Sequence, residues 1–98
     1  MNDATKTKVL ARIRRIAGQL EGVARMVEEG RYCVDILLQI ASGQAALGQV
    51  GKVVLRSHVE TCVKEAMATG KPAERNQKLD ELMEIIARYA SLGKSSLA

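Results

Sequence analysis

The sequence predicts an all-α fold of three helices, and three observations predict it. Aliphatic residues recur at alternating steps of three and four along most of the 98-residue chain, the period of a buried helical face. Pro72 is the single proline and turn clusters are few, whereas a sandwich or barrel needs a turn about every 8–12 residues. Tyr32 and Tyr89 are the only aromatic residues, so the core must be built from Leu, Ile, Val and Ala. A chain this short buries too little surface to be more than marginal alone, and is expected to oligomerise. It reads as one domain over 1–98, with about 1–5 and 92–98 frayed. No apolar run reaches the length of a membrane span and no secretory hydrophobic segment opens the chain, so a cytoplasmic protein without a membrane partner is expected.

The first helix carries Val9, Ile13, Ile16, Leu20, Val23 and Val27 on one stripe. Arg12, Arg14, Arg15, Gln19 and Arg25 lie largely off it. Gly18 and Gly22 each cost about 1 kcal/mol relative to alanine, and close helix packing would explain them. Glu28-Glu29-Gly30-Arg31 interrupts the pattern as a short connection. The second helix runs from near Tyr32 to Gly70 and is apolar nearly all round, as expected of a helix with several neighbours. Its middle holds Gly43, Ala45, Ala46, Gly48 and Gly51, small residues that admit another backbone. Thr69-Gly70-Lys71-Pro72 is its stop signal. The third helix covers about Ala73 to Ala90, with Leu79, Leu82, Met83, Ile86 and Tyr89 on one face and a small polar tail from Ser91. The four methionines are expected to fill the core.

Charge is unevenly distributed. Residues 1–25 hold six bases against two acids, while the rest of the chain holds nine of each. The entire excess therefore sits on the first helix, as a polyanion partner would require. A solvated helix face is the plainer alternative.

Cys33, His58 and Cys62 are the only cysteines and histidine. In a reducing compartment such a set favours metal or redox chemistry over a structural disulfide. His58 and Cys62, four apart, share a helical face. Cys33 lies 25 residues before His58 and returns to within about 20° of that face, yet about 37 Å away along a continuous helix. Two antiparallel copies of the second helix resolve the conflict. Cys33 of one chain then lies beside His58 and Cys62 of the other, with two sites per dimer and a crossing near residues 46 and 47, in the stretch where the small residues cluster. Two thiolates and one imidazole suit Cu(I) best, because zinc wants a fourth ligand and nickel or cobalt more nitrogen. The spacing is equally compatible with two cysteines buried as small core residues beside a partly buried histidine. No phosphate-binding loop, serine elbow or paired-carboxylate arrangement supports an enzyme.

Three segments resemble signatures of the copper-sensitive operon repressor (CsoR/RcnR) family: Arg12-Ile13-Arg14-Arg15-Ile16-Ala17-Gly18-Gln19-Leu20, the run from Glu28 through Tyr32-Cys33 to Ile40, and His58-Val59-Glu60-Thr61-Cys62. The resemblance covers about residues 5–90. It implies a dimer of dimers with an antiparallel four-helix bundle in each dimer. It also implies a repressor that binds operator DNA without metal and releases it on binding inducer. Relatives respond to Cu(I), nickel or cobalt, formaldehyde or persulfides, and Cys33, His58 and Cys62 match the copper pattern. The resemblance further implies Tyr32 and Glu81 (or Asp80) as groups around the histidine, and Arg12, Arg14 and Arg15 as DNA contacts. Where some relatives carry a base near position 49 this chain has Gln49, leaving Lys52 or Arg56 as the second-helix contact. A persulfide sensor using Cys33 and Cys62, and a copper buffer that binds no DNA, are the alternatives.

Overall fold

The computed structural model describes residues 1–93, and the side chains of 1–88. Every element is helical, and contacts divide the chain into two compact units, Met1–Ser57 and the residues from His58 onward.

The first unit is a helical hairpin of α1 (Asp3–Glu28) and α2 (Cys33–His58), whose last residue already belongs to the second unit. Residues 3–5, expected to fray, are helical because Asn2 caps them. Its Oδ1 accepts from the Thr5 amide at 2.8 Å, satisfying one of the donors a helix start leaves open. At the other end Gly30 adopts φ 67°. The Gly30 amide donates to the Val27 carbonyl and the Arg31 amide to the Met26 carbonyl, the paired closure that a left-handed residue makes possible. This turn reverses the chain and sets Cys33 as the first residue of α2.

Val9, Ile16 and Val50 form the buried centre of the hairpin, with Ala46 and Val53 against them. Gln19 Nε2 donates to Ser42 Oγ at 3.1 Å, and Leu20 approaches Gly43. These contacts fix an antiparallel register in which the numbers of residues on one level add to about 62. One side of the hairpin is apolar and unpartnered within the chain: Leu10, Ile13 and Leu20 on α1, and Leu37, Ile40, Leu47 and Val54 on α2, are all exposed. Among the described residues, the neighbours expected around α2 are therefore absent from that side. Gly18 likewise has nothing within 4 Å of an added Cβ, and Gly22 has only the Arg25 guanidinium, so among the described residues no second helix explains either glycine.

The second unit begins with a π-helical turn, Val59–Val63, and continues through α3 (Lys64–Thr69) to α4 (Pro72–Gly93). The second helix expected from near Tyr32 to Gly70 is helical throughout Cys33–Thr69 and contains the π turn, with helical backbone at His58, Val63 and Lys64 on either side of it. α3 packs on the π turn and on α4. Gly70 ends α3 in extended conformation, and a Cβ there would collide with the Ala66 carbonyl. α4 starts at Pro72, where a missing amide costs nothing, and Glu74 Oε2 accepts from the Lys71 amide at 3.3 Å. Leu79, Met83 and Ile86 on α4 are exposed; the Tyr89 side chain and the tail from 94 lie outside the described residues. Met1 and Met83 are exposed as well, so the expected core role does not hold for them. No helix of the described residues is long and apolar enough to cross a membrane.

Candidate metal centre and nucleic-acid interface

Cys33 and His58 are the first and last residues of α2, a helix about 37 Å long. Both cysteines carry free, exposed thiols, which removes the alternative that they are small core residues of this chain. His58 is half-buried. Among the described residues of one chain, no three His, Cys, Asp or Glu side chains come together to hold a metal.

His58 immediately precedes the π turn and Cys62 lies within it. A π turn closes i→i+5 hydrogen bonds and so holds more residues per circuit than the 3.6 of an α-helix. His58 and Cys62, four apart across the start of the turn, lie near one face of the helix. A sequence signal for the turn exists. Leu55, Val59, Val63 and Met67 recur at strict steps of four, a spacing that drifts around an α-helix but stays on one face through a π turn. Val63 is the buried member of that set. Thr61 Oγ1 lies 3.6 Å from Cys62 Sγ and donates toward it, a neighbour that sequence reasoning missed.

Tyr32 is exposed, 69 % accessible, next to Cys33. Glu81 is exposed and ion-paired with Lys78 at 3.6 Å. Lys78, three residues earlier on α4, was legible as an i,i+3 partner but not singled out. Asp80 is exposed beside it.

Arg12, Arg14, Arg15 and Lys52 are all exposed, but they do not form one cluster. On an unbroken α1, Arg12 and Arg15 lie about 60° apart on the flank of Gln19, the side of the hairpin closed by the Gln19–Ser42 hydrogen bond. Lys52 projects from α2 on the same side as Ser42. Arg14 stands about 100° around the helix from Arg15, with Arg25, on the far flank.

Residues 5–88 match the family model of the metal-sensitive transcriptional repressors. The chain belongs to that family. Members similar to it include the copper-sensing repressor RicR of Mycobacterium tuberculosis, 42 % identical over 85 % of this chain and 85 % of that one. The copper-sensing repressor CsoR of Bacillus subtilis is 38 % identical over 86 % of this chain and 80 % of that one. Among solved structures, the copper-sensing repressor CsoR with Cu(I) from Geobacillus thermodenitrificans aligns with a TM-score of 0.81 and 41 % identity, covering 93 % of this chain and 92 % of the other. Family membership agrees with the all-α fold and makes this protein a regulator of transcription rather than an enzyme.

Proposed function

We propose that this metal-sensitive repressor is a cytoplasmic Cu(I) sensor. It binds operator DNA without metal, leaves it when Cu(I) binds, and so derepresses copper-resistance genes. The observation that carries the reading is the donor set itself. Two exposed thiols and one half-buried imidazole, the latter immediately before the π turn that contains Cys62, are the soft ligands that Cu(I) prefers. Similarity to copper-sensing relatives over nearly the whole chain supports it.

Cys33 of one protomer, with His58 and Cys62 of its partner, would hold the ion. Since α2 is about 37 Å long, an antiparallel pair brings Cys33 to the partner's His58 at both ends, with the two-fold axis beside residues 46 and 47. The unpartnered apolar side of the hairpin supports such pairing, and the exposed apolar residues of α4 support further assembly into a tetramer. Bound copper supplies a rigid tie between the two chains. His58, ligating through one imidazole nitrogen, has the other free to donate to a carboxylate. Glu81 on α4 is the acceptor in this reading, exchanging Lys78 for the imidazole, and Tyr32 flanks the same centre. That exchange couples α4 to α2, and release follows if DNA prefers the uncoupled arrangement. Exposed bases among Arg12, Arg14, Arg15 and Lys52 are the DNA contacts.

Complementation between protomers tests the shared site. Cys33→Ala protein and His58→Ala/Cys62→Ala protein should each lose Cu(I)-dependent release of DNA. Mixed and refolded together, they should regain it in heterodimers that rebuild one complete site. No recovery, or release by either variant alone, would contradict the arrangement.

A further inference from the structure

The α1–α2 hairpin has two unlike sides. One is the apolar side described above, with Leu10, Ile13, Leu20, Leu37, Ile40, Leu47 and Val54 exposed. The other is marked by the Gln19–Ser42 hydrogen bond. On α1 the polar side carries Lys8, Arg12 and Arg15, at the i, i+4, i+7 spacing of one stripe. On α2 it carries Lys52 and Arg56, four residues apart and also on one stripe. All five are exposed.

The register brings these two stripes together. With facing levels adding to about 62, Lys52 stands level with about residue 10 of α1 and Arg56 with about residue 6. Side chains on a helix lean toward its N-terminus. Because the helices are antiparallel, Arg56 leans up the hairpin toward Lys8 while Lys8 leans down toward Arg56. Five cations thus occupy a strip about 15 Å long across two helices about 10 Å apart. Asp3, Glu21 and Glu28 fall on the opposite flank of α1, and Asp35 lies at the far end of α2; Glu60, four residues beyond Arg56, is the acid that follows the strip's end. Gln49, level with Arg12, Arg15 and their neighbours, adds a neutral hydrogen-bonding group.

We infer that this strip is the phosphate-binding surface, that Lys8 and Arg56 belong to it, and that Arg14 and Arg25 do not. The inference rests on the repressor reading and sharpens it. Because the strip lies opposite the apolar side, it stays outward when a second copy covers that side. Duplex DNA presents about one negative charge per 1.7 Å of axis, so several phosphates of one groove edge fall within the strip's length. Recognition through phosphates positions the protein without reading bases. Arg14 and Arg25 share the far flank of α1 with Gly18, where Arg25 folds back over Gly22, and that flank faces away from the strip.

The test is the salt dependence of binding to a fluorescein-labelled mixed-sequence duplex, followed by anisotropy with the metal-free protein. Each lost phosphate contact should lower the slope of log Kobs against log salt by about 0.9 for every copy touching the duplex. Lys8→Gln and Arg56→Gln should both flatten the slope by that step, as should Arg12→Gln and Arg15→Gln. Lys8→Arg and Arg56→Lys should restore it, which separates charge from any structural part Arg56 plays within the chain. Arg14→Gln and Arg25→Gln should leave it unchanged. Wild-type slopes in Lys8→Gln and Arg56→Gln, or flattening by Arg14→Gln and Arg25→Gln of equal size, would overturn the inference while leaving the repressor reading intact. Absence of salt-dependent binding by the wild-type protein would overturn that reading and the inference with it.

Discussion

Replacing Leu47 with Glu should separate the protomers and remove Cu(I) binding together. Leu47 is 55 % exposed in the single chain, on the apolar side of α2 and beside the midpoint between Cys33 and His58. In an antiparallel pair sharing both sites, the two copies of Leu47 meet at the two-fold axis. Fully burying a leucine contributes about 1.5–3 kcal/mol. Slightly more than half of that remains to be gained on pairing, about 1–1.5 kcal/mol per copy and 2–3 for the pair. Glu at this position loses that gain and sets two carboxylates against each other in a desolvated interface, which costs several kcal/mol more. A total near 6 kcal/mol weakens the dimer about 10⁴-fold. Sedimentation velocity measures the association, far-ultraviolet circular dichroism the helicity, and competition with a chromophoric Cu(I) chelator the metal site. The expected result is a chain that remains helical, sediments as a monomer and has lost tight Cu(I) binding, while Leu47→Met keeps both properties. A Leu47→Glu monomer that holds Cu(I) as tightly as wild type would refute the shared site. An unaffected dimer would refute the pairing through α2.

Further outcomes follow from individual residues. His58→Ala should keep DNA affinity within about twofold and lose release by Cu(I), while any response to an organic persulfide through Cys33 and Cys62 survives; anisotropy with each effector reads both. Gly30→Ala, at φ 67°, should destabilise the hairpin by about 1–2 kcal/mol, seen as a lower urea midpoint at fixed protein concentration. Gly18→Ala distinguishes the surroundings of that open position. On a solvent face it should stabilise by up to about 1 kcal/mol, whereas a loss of stability would show that a second copy packs there. Gly70→Ala should cost about 1–3 kcal/mol, since the added Cβ strikes the Ala66 carbonyl, and thermal unfolding at constant concentration would show it.

Helical class and order were legible because the apolar period is strong on α1 and α4 and the stops are chemically marked. Gly30 is needed for a left-handed residue, and Gly70-Lys71-Pro72 for a break and restart. The separation of Cys33 from His58 was equally legible, since α2 runs from one to the other and arithmetic on its length does the rest. Less legible was the π turn at Val59–Val63. Its only trace is the four-residue step of Leu55, Val59, Val63 and Met67, which a reading tuned to 3.6 residues per turn absorbs as scatter. Arg12, Arg14 and Arg15 are neighbours in sequence but not around the helix, because adjacent residues on a helix point about 100° apart. Arg14 and Arg15 therefore belong to different flanks. The Lys78–Glu81 pair was hidden for another reason: a surface ion pair at three-residue spacing is common and worth little, so nothing in the sequence distinguishes it from its neighbours.

The central claim is that copper, held by Cys33, His58 and Cys62, takes this repressor off DNA. The most direct measurement is anaerobic fluorescence anisotropy on a duplex from immediately upstream of the protein's own coding sequence, at fixed salt, titrated with Cu(I) and in parallel with an organic persulfide. Two identical sites per dimer predict release complete at about one Cu(I) per protomer, with the persulfide inert. Release by the persulfide alone, or retention of DNA past that equivalence, would contradict the account.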